Sequence, residues 1–234
     1  MLMFLCNSTR IDTQFSVHQC ARFSANPKMY DEQWVKRACK CLFGTTNKVL
    51  VMNPDQSWVI ECFADANFSG GYIQGNSEDS LSVLSCTGVF IMYECCPIVC
   101  VSKLQTEIML STTEKNNISI SKVMRDLVPF ISRTHEMVFL FSIENKLPQV
   151  LVLLFGGTSH DIEDSNRALA LETAPLICLC MKHISLRYHH FRLHVTKVRV
   201  KILQIGSRGQ AVNIFIKPLD PHIFQNICFK LCGW

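Results

Sequence analysis

Trp58-Val-Ile-Glu-Cys-Phe-Ala-Asp-Ala-Asn-Phe-Ser-Gly-Gly71 is the stretch on which the reading of this chain turns. Trp58, Ile60, Cys62 and Ala64 alternate with Val59, Glu61 and Phe63, the period of two that marks a β-strand. The alternation stops at Asp65, and Gly70 and Gly71 supply a turn. A carboxylate is thereby placed where a buried strand emerges, a position suited to a metal-binding acid. Taken alone, the same residue is the ordinary polar end of a strand, so its meaning depends on the rest of the chain.

Upstream, residues 7–44 read as two helices. Asp12 is placed to cap the first, which carries Phe15, His18, Cys20 and Phe23 and closes at Pro27. The second starts near Asp31, sets Trp34, Val35, Ala38, Cys41 and Leu42 on one face, and ends at Gly44. Lys48 to Met52 reads as a strand paired with Trp58 to Ala64. Downstream, Val83 to Tyr93 and Pro97 to Val101 extend this to three or more consecutive antiparallel strands. Ser111-Thr-Thr-Glu114 resembles a capping box opening a helix that reaches Leu127, with Pro129 beyond it. Residues 130–147 read as helical but poorly patterned. Val150 to Phe155 is a continuous apolar run suited to a central strand. A Gly156-Gly157 loop then leads to Glu163-Asp164 and a short helix. A basic helix over 183–197, a strand over Val198 to Ile205 and a helical turn over Gln210 to Ile216 complete the order. It predicts an α/β fold with a mixed sheet, preceded by a small helical segment.

The chain has 234 residues, 48% of them hydrophobic and 18% charged, which excludes a disordered composition and suits one substantial domain with a smaller appendage. A net charge of +4 permits a nucleic-acid partner without arguing for one. The cysteines number thirteen, and Cys39/Cys41, Cys95/Cys96 and Cys178/Cys180 are too close for ordinary bridges. With no signal-peptide pattern in Met1 to Cys6, they read as reduced thiols of an intracellular protein, in cytoplasm or nucleus. No apolar run approaches the roughly 20 residues that cross a bilayer, so no membrane partner is expected. Cys178, Cys180, His183, His189, His190 and His194 fit no common zinc-finger spacing.

Several words along the chain carry a resemblance. They are Asn7-Ser-Thr-Arg-Ile-Asp12, Val17-His-Gln-Cys-Ala-Arg-Phe23, Phe63-Ala-Asp-Ala-Asn-Phe-Ser-Gly70 and Ser102-Lys-Leu-Gln-Thr-Glu-Ile108. Leu110-Ser-Thr-Thr-Glu114, Lys182-His-Ile184, Tyr188-His-His-Phe191 and Ile214-Phe-Ile-Lys-Pro-Leu219 follow in the same order. Together they resemble the pol polyprotein of copia-type retrotransposons over nearly the whole chain. The resemblance implies that residues 1–50 are the helical end of a reverse transcriptase. Residues 55–219 are then an RNase H-like domain and 220–234 a C-terminal tail. The polymerase palm and the remainder of the polyprotein are expected to be absent. The helical piece is expected to pack only modestly on its neighbour, leaving Phe15, Phe23 and Trp34 partly exposed.

By the same resemblance, the chemistry is magnesium-dependent hydrolysis of the RNA strand of an RNA–DNA hybrid. Two Mg2+ ions roughly 4 Å apart would need a cage of carboxylates, which the family supplies as four acids. The first falls on Asp65, which is intact. The second is the later Glu of Thr-Glu-x-Glu, and here that position is Asn116. The third falls on Asp164, although the family's strand runs straight into this acid and here a Gly-Gly loop intervenes. The fourth is the Asp of Ala-Asp-Ile-Phe-Thr-Lys-Pro-Leu, and here it is Asn213. Asp65 and Asp164 are thus the retained metal ligands, while Asn116 and Asn213 are degenerate positions. Glu114 cannot substitute for the lost Glu, because two residues along a helix is about 200° of rotation. Cys100 likewise stands where the family has Trp. Lys182, Arg187, His190, Arg192 and Lys197 would track the hybrid's backbone, or else form a solvated face. The favoured reading is a degenerate RNase H-like domain with weakened Mg2+ affinity and impaired catalysis. The alternatives are a catalytically dead hybrid-binding module and a still active ribonuclease H.

Overall fold

The computed structural model describes residues 1–67, 83–106, 108, 112–141, 149–156, 201–206 and 210–234, with backbone alone at 30, 112–117, 149, 151–156 and 201–206. The alternating stretch forms β1 (Val59–Ala66). Ile60, Cys62 and Ala64 are buried on one of its faces and Phe63 on the other. A strand apolar on both sides needs cover on both sides and partners at both edges. β2 (Cys86–Tyr93), β3 (Cys96–Leu104), β4 (Gln149–Gly156) and β5 (Lys201–Gly206) provide the edges, in the order β3-β2-β1-β4-β5. The β1–β2 and β2–β3 pairs are antiparallel, whereas β1–β4 and β4–β5 are parallel. The sheet is mixed and the fold α/β, as the order of elements predicts. The apolar run in β4 lies between two strands, where no edge faces water.

Lys48 to Met52 is not one of the strands. Val49 and Val51 alternate as a strand would, but they are largely exposed. The Val51 amide donates instead to the carbonyl of Cys232 at the far end of the chain, 3.0 Å away. The antiparallel trio is therefore built from β1, β2 and β3.

One face of the sheet is covered by α4 (Thr112–Leu140), which sets Ile120, Val123, Met124, Leu127 and Ile131 against Ile60, Cys62, Ala64, Val89 and Ile91. Pro129 lies inside this helix rather than beyond it. An interior proline costs about 3 kcal/mol, whereas each large aliphatic side chain buried here contributes about 1.5–3 kcal/mol. The buried stripe, continuing to Val138 past the proline, outweighs the break.

The opposite face is covered by both ends of the chain. α1 (Leu2–Ser8), a 3-10 turn at Ile11–Thr13, α2 (Gln14–Arg22) and α3 (Met29–Gly44) form the N-terminal part. Two helices are expected here; the additional α1 precedes them. Asp12 does not cap a helix. Its two carboxylate oxygens accept from Arg10 Nε and Nη2 at 2.9 and 2.8 Å, and both residues are buried. Arg10 also donates to Thr45 Oγ1 and lies over the ring of Trp234. Asp31 does mark the start of α3, accepting from the Lys28 amide as the third residue of a capping box. Contrary to a loosely attached piece, Ile11 belongs to the core, and Gln14 Nε2 donates to the Cys100 carbonyl of β3 at 2.7 Å. The expected partial exposure holds for all three aromatics, Trp34 being the most exposed and Phe15 and Phe23 half-buried.

The C-terminal residues, expected as a tail, form α5 (Pro221–Cys232). Asp220 caps it through the His222 amide, Pro221 occupies the first turn, and Gly233 ends it at φ 83°. Ile227, Cys228, Leu231 and Cys232 are buried in the same core as Phe63, Phe90 and Phe215. Among the described residues, no helix is long and apolar enough to cross a membrane.

Candidate functional site

Asp65 lies at the carboxyl end of β1, directly across from Gly88 of β2. Gly88 explains what packs there. A Cβ on it would fall 2.8 Å from the side chains of Val212 and Ile216 and 3.2 Å from Phe215 Cβ. The missing side chain is the seat of a 3-10 turn over Ala211–Phe215, the helical turn expected before Pro218. The turn brings Asn213, buried, to the region of Asp65. Gln210, the residue before it, donates from Nε2 to Asp65 Oδ2 at 2.9 Å. The other carboxylate oxygen accepts from the Ala66 amide at 2.7 Å.

The far side of the turn is also held. Asn67 follows β1 directly, donates from Nδ2 to the Ile216 carbonyl at 2.8 Å and accepts from the Cys86 amide at 2.6 Å. Ser102 Oγ of β3 donates to the Phe215 carbonyl at 2.6 Å. Cys100, which replaces a Trp of the resembled family, is a mostly buried thiol whose pKa burial pushes up. It packs against this same core.

Three parallel strands, β1, β4 and β5, end at this same edge of the sheet. α4 runs antiparallel to β1. Phe130, late in α4, makes an edge contact with Tyr93, which is registered with Ile60 near the start of β1. The first turns of α4 therefore lie toward the Asp65 end. The carboxyl ends of parallel strands are where open α/β sheets place their sites.

No protein-family model matches the chain. It is 24% identical over 223 residues to the retrovirus-related Pol polyprotein from transposon RE1 of Arabidopsis thaliana, covering 95% of this chain and 14% of that protein. It is also 24% identical over 225 residues to the RE2 polyprotein of the same plant, covering 95% of the chain and 14% of that protein. To the polyprotein from transposon TNT 1-94 of Nicotiana tabacum it is 26% identical over 232 residues, or 99% of the chain and 16% of that protein. This chain is a relative of copia-type transposon Pol polyproteins. It spans 14–16% of the length of those relatives.

Of the expected site residues, the structure brings the elements of Asp65 and Asn213 together through the Gly88 seat. Asn116 falls in the early part of α4, at the same end of the sheet, and its side chain lies outside the described residues. Asp164 lies outside them too, as do Lys182, Arg187, His190, Arg192 and Lys197. Among the described residues, no group of three or more His, Cys, Asp or Glu side chains could hold a metal ion. At this strand end they offer the single carboxylate of Asp65, already accepting from Gln210 and Ala66. A two-magnesium centre uses several anionic oxygens around the pair of ions, and Asp164, the other acid expected here, lies outside the described residues.

Sequence reading missed Gln210, Asn67 and Gly88. Asn67 lies within the resembling word Phe63–Gly70, two residues after the acid, and Gln210 lies three before Asn213. Their proximity to known positions was the available signal. Their roles depend on contacts 145 and 149 residues apart in sequence, which no local pattern reveals.

Proposed function

We propose that the chain is a piece of a copia-type Pol polyprotein in which residues 1–50 derive from the end of the reverse transcriptase. Residues 55–219 are an RNase H-like domain that no longer hydrolyses RNA–DNA hybrids. The observation that carries the reading is the meeting of Asp65 and the Asn213 turn at the carboxyl ends of β1, β4 and β5. The strand order β3-β2-β1-β4-β5, antiparallel on one side of β1 and parallel on the other, supports it. So does similarity to transposon Pol polyproteins along nearly the whole chain. α5 shares the core of this domain, so the domain extends past residue 219.

Asn116 and Asn213, amides where the resembled family has acids, are the basis for loss of hydrolysis. An amide retains a carbonyl oxygen but not the negative charge that draws divalent cations beside a polyanion. Removing one electrostatic group of this kind commonly costs on the order of a hundredfold in rate, and groups acting as one unit do not add simply. A labelled RNA–DNA hybrid incubated with the chain and Mg2+ or Mn2+ is therefore expected to remain uncut above background. Asn116→Glu or Asn213→Asp alone should change little, while the pair should produce measurable cleavage that Asp65→Asn abolishes. Robust cleavage by the unaltered chain would overturn the reading. Where cleavage is absent, salt-sensitive hybrid binding marks a binding module and no binding marks an inert remnant.

A further inference from the structure

We propose that Asp65 now acts as a latch: its carboxylate, through Gln210, holds the Ala211–Phe215 turn on the sheet instead of holding a cation. The proposal deepens the reading above and rests on it only for the claim that this strand end once served another purpose.

The turn cannot hold itself. It is five residues of 3-10 helix; the bond that opens it, Asn213 N to Gln210 O, is long at 3.4 Å, and Ile216 N and Lys217 N share the one carbonyl of Asn213, each at 3.2 Å. Short 3-10 segments close few bonds and in poor geometry. Val212, Ile214 and Phe215 seat it in the core, and polar anchors at the two ends of the segment fix its register there. Ahead of it, Gln210, buried, donates from Nε2 to a carboxylate oxygen, Asp65 Oδ2, at 2.9 Å. Behind it, Asn67 and Ser102 take the carbonyls of Ile216 and Phe215. A donor bonded to a carboxylate is held about twice as strongly as one bonded to a neutral acceptor, so the leading anchor is the stronger type.

Asp65 is oriented for this task. Its Oδ1 accepts from the Ala66 amide, and that bond fixes the carboxylate plane and turns Oδ2 toward Gln210. Gly88 across the ladder removes the side chain that would keep the turn away. An acid kept for cations behaves differently. Its charge is uncompensated without the ion, so neutralising it relieves the empty protein, whereas neutralising a latch removes an anchor.

The test uses the full chain in EDTA and compares Asp65→Asn, Gln210→Ala and the two combined. Each single change is expected to lower the Tm by a few degrees, as loss of one charge-assisted bond implies. The combined change should cost no more than the larger single one, because both remove the same contact. Hydrogen exchange at the Ile216 and Lys217 amides should accelerate on the order of tenfold in each variant. A rise in Tm on Asp65→Asn, or full additivity of the two changes, would overturn the latch. The native chain gives a check that needs no variant. Adding Mg2+ should leave exchange at Ile216 and Lys217 unchanged, and protection of these amides by Mg2+ would show that Asp65 serves an ion. Hybrid cleavage is read separately, so failure of the latch leaves the impaired-nuclease reading standing, and the reverse.

Discussion

The two faces of the sheet are buried by opposite strategies. Beneath α4 the cover is one continuous helix, and its contacts Ile120, Val123, Met124, Leu127 and Ile131 recur at three- and four-residue steps. The other face is assembled from Ile11, Phe63, Phe90, Phe215, Ile227 and Leu231, so its members span nearly the length of the chain. Its centre is aromatic, with the ring of Phe90 tilted between those of Phe63 and Phe215 at centroid distances of 5.7 and 5.9 Å. A helix can cover its face as soon as it forms against the strands. The second face exists only when both chain ends have arrived, with the loop-closure entropy that this implies. The candidate site lies on that second face, which ties its geometry to segments at the two termini.

Removing one end should therefore have the largest effect. Deleting residues 1–44 takes away Arg10, Ile11, Gln14 and the α2 cover of β3. The expected outcome is loss of cooperative thermal unfolding and of near-UV dichroism, and deleting 221–234 should do the same. A deletion of 1–44 that remains folded and becomes more soluble would break the comparison, since that is the behaviour of an appended piece.

A smaller effect isolates the junction of the ends. Arg10 links Asp12, Thr45 and the ring of Trp234, while Lys48 lies over the same ring at 4.9 Å. Arg10→Ala leaves the buried Asp12 carboxylate without its cation, a change that costs about 3–5 kcal/mol. Urea unfolding measures it, and a further Asp12→Ala change should return part of the loss. If the single change costs less than about 1 kcal/mol, typical of an exposed pair, the junction does not hold this face together.

Legibility of the fold follows the same division. β1, β2, β4 and α4 could be read because period and apolar run length are local properties, and the burial of β1, β2 and α4 agrees with them. Val49 and Val51 misled for the converse reason, having the alternation of a strand but a docking partner at Cys232. Pro129 misled because its local cost is overridden by the buried stripe on either side. The signals for α5 were present in Asp220-Pro221 and in Gly233, a cap, a first-turn proline and a left-handed terminator. At the site, Asp65 was legible because the alternation of β1 stops there, whereas Asn213, in the middle of its turn, was reached only through the resemblance of the segment running into Ile214-Phe-Ile-Lys-Pro-Leu219. Gln210 was not, because a lone glutamine before a turn has no pattern until the turn is seated on Gly88.

A smaller gain is expected at the opposite end of the sheet, where both faces share the β2–β3 turn. Glu94 and Cys95 sit at φ 48° and 60°, left-handed values that suit Asn-Gly in a two-residue hairpin. Replacing them by Asn-Gly should stabilise the chain by about 1 kcal/mol, even though the contact of Cys95 Sγ with Asp55 Oδ2 is lost. That contact pushes the Cys95 thiol up to about 11, so the thiol is protonated at neutral pH and its loss removes no charge pair. Exchange at the α4-face amides and at Ile216 should slow together. A gain confined to one face would show that the faces unfold separately.

The smallest expected effect probes how far the two faces sense each other. His18 of α2 lies on the face built by the ends, and burial first, then Arg22, Lys122 and Lys103, hold its pKa below the usual 6.5. Lys122 belongs to α4 on the other face, so its field reaches His18 past the β3 edge. With the folded pKa depressed, the unfolded chain takes up the proton first as pH falls. The His18 contribution is therefore complete above about pH 6.5 and is lost as pH drops toward the lowered folded value. Because the imidazole is partly exposed, the loss should stay below about 1 kcal/mol. His18→Gln should flatten the stability profile across that window. Lys122→Gln should raise the His18 pKa, followed by NMR, and shrink the same slope; because burial also lowers the pKa of Lys122 itself, the alkaline end of the profile should change separately. If Lys122→Gln leaves the His18 titration unmoved, the β3 edge separates the faces electrostatically, and the depressed pKa belongs to burial and α2's own Arg22.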